Sequence, residues 1–451
     1  MKTGAANSKS FRLAPFRIDP SFHLSEGIAV RRQLADLPYP LKTLRDASER
    51  IFIGNIFSRV FVKDDIHGIP YLQASDTVLA NLDTGRFLSK KQAADLSYLM
   101  LKKDWVLITC SGTLGNVTYT NETFEGRIGT HDLIRVIPND KTMLKGCLYA
   151  FLSSKYGYYQ LTQSEFGGVV KHINADQAGE ILVPELPIDF QRQVDALVQD
   201  AAILREKSYT SLKKAHSLFE SHFVAPKEQS SCRRVSQATV WGSQLHRFEA
   251  SYHISTGEYY DNYIKSNFVW KPLQDVTSRI FRPDIFKRMY VNDGITFLGG
   301  SDILLATPNS EKQLSRKSPN IEQFTIGEKW IILPRSGTIG DVVYTTSQHA
   351  HKLVSEHVIR IIPNDVLRGG YVFAVLSSRI GRALIQRPIF GSVILTIEPP
   401  LLSVIPIPVL EDKEMEEIAE LAECYRDCWG RAAEEELKAI KMVEEEIEKW
   451  K

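Results

Sequence analysis

The chain has 451 residues, 43% of them hydrophobic and 24% charged, a balance that suits globular domains and supplies apolar material for two cores. No run of about 18 apolar residues occurs, which argues against a membrane span, and the polar stretch 1–10 lacks the apolar region of a secretory signal. A formal net charge of +1 hides an asymmetry: residues 410–451 carry 15 Asp/Glu against 7 Lys/Arg, leaving 48 basic and 39 acidic residues in 1–409. A moderately basic body is compatible with nucleic-acid binding without requiring it.

In chain order, the first distinctive stretch is R-I-D-P-S-F-H-L-S at 17–25, followed by Ile51-Phe52 and Arg59-Val60-Phe61-Val62. Residues 105–109 and 116–120 read as strands around the turn Ser111-Gly112-Thr113-Leu114-Gly115, and 133–137 as a third strand. Pro138-Asn139-Asp140 is a turn, and 146–163 reads as one helix. After V-P-E-L-P at 183–187 the period changes. Phe190, Val194, Leu197, Ala201, Leu204, Ser208, Ser211, Ala215, Leu218 and His222 follow alternating steps of four and three, a coiled-coil seam softened by its polar members. Asp189 reads as the N-cap of this helix, Pro226 as its end, and the polar stretch from 227 as a linker.

The second half then repeats the first. W-V-L-I-T-C-S-G-T-L-G-N-V-T-Y-T at 105–120 becomes W-I-I-L-P-R-S-G-T-I-G-D-V-V-Y-T at 330–345, and L-I-R-V-I-P-N-D becomes V-I-R-I-I-P-N-D, at an offset of 225. Arg247 to Ser255 answers 17–25, Ile280-Phe281 answers Ile51-Phe52, and Arg288-Met289-Tyr290-Val291 answers 59–62. Leu376-Ser377-Ser378 answers Leu152-Ser153-Ser154, and Phe390-Gly391 answers Phe166-Gly167. Strands are expected at 330–334, 341–345 and 358–362, and a helix at 371–387. A second seam follows at Ile418, Leu421, Tyr425, Cys428 and Ala432, resuming at Ile440, Val443, Ile447 and Trp450 after Gly430 disturbs its phase.

A long repeat means two copies of one domain, each of about 170 residues. The expected organisation is a mixed α/β (α+β) first domain at 1–186, a long helix at 187–226, a linker at 227–243, a second domain at 244–409 and a second long helix at 410–451. Two apolar seams in one chain should bury on each other as an antiparallel coiled coil, giving a pseudo-two-fold molecule.

No catalytic pattern survives inspection. A nucleophile elbow needs glycine two residues before the serine, where Thr109 and Pro334 stand. A phosphate-binding loop needs lysine after its last glycine, where Asn116 and Asp341 stand. The repeated glycines and hydroxyls fit a tight structural turn instead. His23 and His253 occupy equivalent apolar, aromatic settings that suit packing, and His131 faces Glu356 in the repeat. The five cysteines form no disulfide or zinc framework, which favours a reducing, cytoplasmic setting. Cys424 and Cys428 share a helix face, and two thiols alone do not complete a metal site.

The path from W-V-L-I-T-C-S-G-T-L-G-N-V through F-G-G-V-V-K-H-I-N (166–174) to I-L-V-P-E-L-P-I-D-F-Q-R-Q-V (181–194) resembles the specificity subunit of type I restriction–modification enzymes. The second copy supplies W-I-I-L-P-R-S-G-T-I-G-D-V, F-G-S-V-I-L-T-I-E (390–398) and V-I-P-I-P-V-L (404–410) in the same order, so the likeness covers almost the whole chain. It departs from the first copy at Leu395-Thr396-Ile397-Glu398, where 171–174 read Lys-His-Ile-Asn.

The resemblance implies a non-catalytic subunit that reads double-stranded DNA, one domain per half of a bipartite target, with the helices setting the spacing. It implies methyltransferase subunits docked on those helices and restriction subunits beyond them. S-adenosylmethionine, ATP and magnesium then belong to the partners and no cofactor to this chain. Phosphates call for Lys and Arg, and base edges for Gln, Ser or Asn. The DNA-contacting candidates are therefore Arg59, Lys63, Gln73, Ser75, Lys171 and His172 in the first copy, and Arg282, Lys287, Arg288, Ser301 and Arg335 in the second. The alternatives are a two-headed, non-catalytic adaptor for protein or glycan, and an enzyme with a site shared by both heads. Neither predicts the steep salt dependence of DNA binding.

Overall fold

A computed structural model of the chain describes residues 25–111, 114–163, 172–226, 232, 234–242 and 246–450. The chain is mixed α/β and divides into two compact units: 1–206 with 431–451, and 207–430. The division falls inside both long helices, so each unit holds a segment of each.

In the first unit the W-V-L-I-T run forms the strand Val106–Thr109, buried along its whole length. It lies between Leu133–Pro138 and Val117–Tyr119, with Ser48–Phe52 on the outer side of Leu133–Pro138, in a four-stranded antiparallel sheet. Thr120 closes the entry to this sheet: its Oγ1 accepts from the Trp105 N–H (2.8 Å) and donates to the Lys102 carbonyl (2.6 Å). A second sheet orders Phe61–Val62, Phe87–Ser89, Gly68–Leu72 and Ile128–Gly129, the last pair parallel.

The second unit repeats this plan. Its main sheet orders Thr277–Phe281, Val358–Pro363, Ile331–Pro334 and Val343–Tyr344, and the register break at Ser48/Arg50 recurs at Thr277/Arg279. Thr345 repeats the contacts of Thr120, accepting from the Trp330 N–H at 2.8 Å. The smaller sheet differs. Where the first unit uses two strands joined by 63–67, the second has one strand, Tyr290–Leu298, in which Tyr290 and Ile295 both pair with Leu314. This shorter connection takes the repeat offset from 229 at Arg59/Arg288 to 226 at Leu72/Leu298.

Each helix expected at 146–163 and 371–387 is two helices. Lys145–Ser153 and Lys155–Gln163 break at Ser154, and Gly369–Ser377 and Arg379–Gln386 break at Ser378, both serines having extended backbone. The second helix of each pair lies so close to the first that a Cβ on Gly157 would collide with the Leu152 backbone, and one on Gly381 with the Val375 carbonyl.

The long helices span Ile188–Glu220 and Asp412–Glu448. Asp189 lies inside the first turn and does not cap it, because the Pro187 carbonyl already accepts from the Gln191 N–H (2.9 Å). The first helix ends at Glu220, before Pro226, where the chain turns out and Phe223 stacks on Phe268 (5.2 Å) beside Tyr260 and Tyr263. The second runs through Gly430 unbroken.

The buried stripe is wider than the predicted seam. In the first unit Val194, Val198 and Ala202 join Ala439, Val443 and Ile447 in a single core with the main sheet. Val198, Phe219 and Ala422 sit deeper than the expected Leu197, Leu218 and Leu421, since each helix faces a domain as well as a partner helix. Trp450, expected in the seam, is half exposed, with its ring edge-on to Tyr39. Arg205 and Glu436, mostly buried, meet as a two-pronged pair within the first unit. Within the second, Ser208 donates to the Tyr425 carbonyl (2.9 Å), Ser211 meets Cys424 (3.4 Å) and Lys214 pairs with Glu417 (2.9 Å). Numbers rising on one helix as they fall on the other make the segments antiparallel there.

Candidate nucleic-acid interface

In each unit three segments converge at one end of the main sheet. In the first, the Cys110 N–H donates to the Asp132 carbonyl (3.3 Å) and the Cys110 carbonyl accepts from the Ile173 N–H (3.1 Å). In the second, the Arg335 N–H donates to the His357 carbonyl (2.8 Å) and its carbonyl accepts from the Ile397 N–H (3.0 Å). Single bridges join Ser111 to His172 and Ser336 to Thr396, so the two motifs of the repeat are neighbours in space. The turn needs its glycines: Gly115 has φ 86° and Gly340 φ 107°, a region costly for other residues. Asp341, at the position a phosphate-binding lysine would take, is paired with Arg382.

The middle segment, 129–132 or 354–357, is held from below by a fully buried arginine. Arg135 donates from Nη1 to the Leu133 carbonyl (2.9 Å) and from Nη2 to the carbonyls of Gly129 (2.9 Å) and Thr130 (3.1 Å). Arg360 donates to the carbonyls of Ser355 (3.0 Å), Val358 (2.5 Å) and Val354 (2.5 Å). Burial pushes their pKa values down to about 10 and about 9, with Glu356 opposing the shift at Arg360, so both stay protonated near neutrality. These arginines were not among the sequence candidates. Their signal was the charged residue inside the repeated apolar runs I-R-V-I-P and I-R-I-I-P.

Above the loop lies a second arginine, equivalent in the two units. Arg59 donates from Nε to the Tyr71 hydroxyl (2.7 Å) and from Nη2 to Thr130 Oγ1 and His131 Nδ1 (3.2 Å each). Arg288 donates to Glu356 Oε1 (2.7 Å) with its guanidinium 5.2 Å from the Phe297 ring centre. The place is shared, and the partners differ.

The contrast is sharper around the repeat motif itself. In the second unit Arg335 donates to Glu398 Oε1 from Nε (2.8 Å) and Nη2 (2.5 Å), and Arg282 donates to Glu398 Oε2 (2.9 Å). Burial alone would raise the Glu398 carboxyl; the hydrogen bonds and charges of Arg335 and Arg282 outweigh it and hold the group below the ordinary carboxylate value. The corresponding residues of the first unit are Cys110, Asn174 and Ile53, all uncharged there. Burial pushes the Cys110 thiol up to about 12, so it is no ready nucleophile.

Of the sequence candidates, the structure gathers Arg59 and His172 in one unit and Arg282, Arg288 and Arg335 in the other. Gln73 and Ser75 follow the strand Gly68–Leu72, whose last carbonyl accepts from the Thr130 N–H (2.9 Å), and both are exposed. Ser301 holds the matching place after Leu298, whose carbonyl accepts from the Ser355 N–H (2.9 Å). Lys63 and Lys287 are exposed and form no ion pair among the described residues. Lys171 and His23 lie outside the described residues. His253 is buried, its Nε2–H donating to the Arg247 carbonyl (2.6 Å), as packing predicts.

Among the described residues, no three His, Cys, Asp or Glu side chains are grouped to hold a metal ion, and no helix is long and apolar enough to cross a membrane. No protein-family model and no curated protein matches the chain. Similar solved structures include the S subunit of a type I restriction–modification system from M. genitalium, at 12% identity over 91% of this chain and 95% of that one, with a TM-score of 0.34. A chain from a structure of complex assembly and conformational transition in the type I R-M system is 12% identical over 91% and 98%, with a TM-score of 0.29. The HsdS subunit from Thermoanaerobacter tengcongensis is 13% identical over 91% and 94%, with a TM-score of 0.28. Likenesses at TM-scores this low leave the chain's own geometry as the ground for its function.

Proposed function

We propose that the chain is the sequence-reading, non-catalytic subunit of a type I restriction–modification assembly. Each unit recognises one half of a bipartite duplex target, and the two long helices set the distance between half-sites and receive methyltransferase subunits. One observation carries this reading: both units place arginines at the same point of the same fold, yet surround them with different partners. A two-part reader needs that combination, because a shared frame docks on the uniform phosphate backbone while local chemistry distinguishes the bases.

Arg59, Lys63, Gln73, Ser75, Lys171 and His172 contact one half-site in this reading, and Arg282, Lys287, Arg288, Ser301 and Arg335 the other. The antiparallel contacts within each unit support the helices as a paired spacer. Base flipping and N6-adenine methylation belong to the methyltransferase partners with their S-adenosylmethionine. Translocation and cleavage belong to restriction subunits with ATP and magnesium.

The test is co-expression with methyltransferase subunits encoded beside it, followed by pull-down and methylome mapping. The expected result is a stable complex and one methylated motif of two short half-sites flanking an unread spacer. The purified chain alone should transfer no methyl group, and its DNA affinity should fall steeply with salt. Methyl transfer by the chain alone, or a complex that leaves DNA unmodified and unbound, refutes the proposal.

A further inference from the structure

We infer that Glu398 is a positioning residue that aims Arg335 at a guanine, making this cluster the element that sets what the second unit reads. The inference rests on the function proposed above. A guanidinium has two usable edges: a side edge made by Nε and one Nη, and an end edge made by both Nη groups. Arg335 spends its side edge on Glu398, through Nε and Nη2. Its Nη1 has no hydrogen-bond partner among the described residues, so the end edge remains available. That edge matches the O6 and N7 acceptors of guanine in the major groove, the pairing arginine makes best.

Exposure fits this assignment. The side chains of Arg335, Glu398 and Arg282 are 23%, 25% and 28% exposed, open enough to meet a ligand and covered enough to stay ordered. Arg282 completes the arrangement from the other carboxylate oxygen, so Glu398 is fixed from two sides and cannot swing away without stranding both arginines. An arginine serving only to attract phosphate gains nothing from such a partner, because the carboxylate cancels part of its charge. A partner that lowers attraction while fixing geometry is useful where direction matters more than affinity. The first unit, with Cys110, Asn174 and Ile53 in these places, has no such device and reads its half-site by other means.

The experiment uses the complete complex and the variants Glu398→Gln, Glu398→Ala and Arg335→Ala, each first checked for unchanged thermal unfolding and complex assembly. The methylome of wild type and variants is compared, and binding of the purified chain to unrelated duplex DNA is measured as a function of salt. Glu398→Gln is expected to degrade discrimination at one G·C pair of a single half-site, roughly ten- to a hundredfold. The other half-site and the spacer should be unaltered. The same variant should bind unrelated DNA more tightly, because a negative charge is gone, and its salt slope should steepen by up to about one unit. Arg335→Ala should lose the same base pair and bind unrelated DNA more weakly. Specificity and affinity moving in opposite directions on Glu398→Gln is a signature that structural support alone does not give. An unchanged motif in Glu398→Gln and Arg335→Ala overturns the assignment, as does uniform weakening at all sites. Failure of the wild type to bind or help modify DNA instead overturns the function on which the assignment rests.

Discussion

His349 gives the second unit a stability that should depend on pH in a range where the first unit has no counterpart. The imidazole is fully buried, packed edge-on against Trp429 with ring centres 5.0 Å apart. Its Nδ1 accepts from the Thr346 N–H (3.2 Å) and its Nε2–H donates to the Ile303 carbonyl (3.1 Å), a pattern only the neutral ring satisfies. Burial, aided by Lys352 and opposed by the bond to Ile303, pushes its pKa down from 6.5 to about 4. The unfolded chain therefore binds the proton more readily than the folded one between these values. The contribution is complete above pH 6.5 and lost as pH falls toward 4. The loss amounts to about 2 kcal/mol by pH 5 and about 3 kcal/mol at the lower limit. For a unit of this size, 2 kcal/mol corresponds to about 4–8 °C in Tm.

Urea unfolding followed by circular dichroism at pH 7.5, 6 and 5 measures the effect, with His349→Gln as the control that keeps a donor for Ile303 without a titrating group. The difference between wild type and control should shrink by about 2 kcal/mol from pH 7.5 to 5. A difference that does not move with pH would refute the reasoning, because it would mean the ring is charged or solvated in the folded state. The first unit carries Phe124 at the corresponding place, so its unfolding should lack this component.

Two further outcomes follow from the same geometry. Arg360→Met leaves carbonyls of the 354–358 loop short of donors and should cost about 2–4 kcal/mol. Arg135→Met should behave alike, and the double variant should be additive because the two share no partner; a change below about 0.5 kcal/mol in calorimetric unfolding speaks against the anchor. Inserting seven residues between Leu204 and Ala215, with a matching insertion after Ala432, adds about 10 Å to each helix and keeps the hydrophobic phase. If the helices are the spacer, the methylome should keep its half-sites and lengthen the gap by up to about three base pairs; an unaltered gap in an assembled variant removes them from that role.

Much of the fold was legible because it is written twice. Three of the four strands of each main sheet fall within a residue or two of their expected places, since an apolar run between a tryptophan and a glycine turn leaves little choice of element, whereas Ser48–Phe52 and Thr277–Phe281 were not expected as strands. The breaks at Ser154 and Ser378 were also on the page, as the repeated Leu-Ser-Ser. Helical spacing on both sides masked them, and only the close approach at Gly157 and Gly381 shows that the two helices of each pair pack on each other. Most expected seam positions are buried, and at Leu197, Leu218 and Leu421 the next residue lies deeper because a heptad pattern describes a helix with one neighbour, and these helices face two. The first helix stops short of Pro226 because an aromatic cluster rewards Phe223 for leaving it, a gain that no local pattern registers.

The candidate site was half legible, and the missing half has one physical cause. Arginines were chosen for their charge, which a sequence displays. What they do depends on partners 63, 68 and 116 residues away, which it does not. The change from Lys-His-Ile-Asn to Leu-Thr-Ile-Glu between the repeats is a case in point. In isolation it reads as a loss of basic, DNA-binding character in the second copy. In the structure Glu398 answers an arginine at 335 where the first copy has Cys110, and a second at 282 where it has Ile53. The three positions vary as a set, neutral in one unit and charged in the other, because a half-buried edge holds an arginine in one place best when a carboxylate arrives with it. Divergence that comes with its own compensation, inside a main sheet both units keep, marks a second unit that has been rebuilt at this edge rather than one that has decayed.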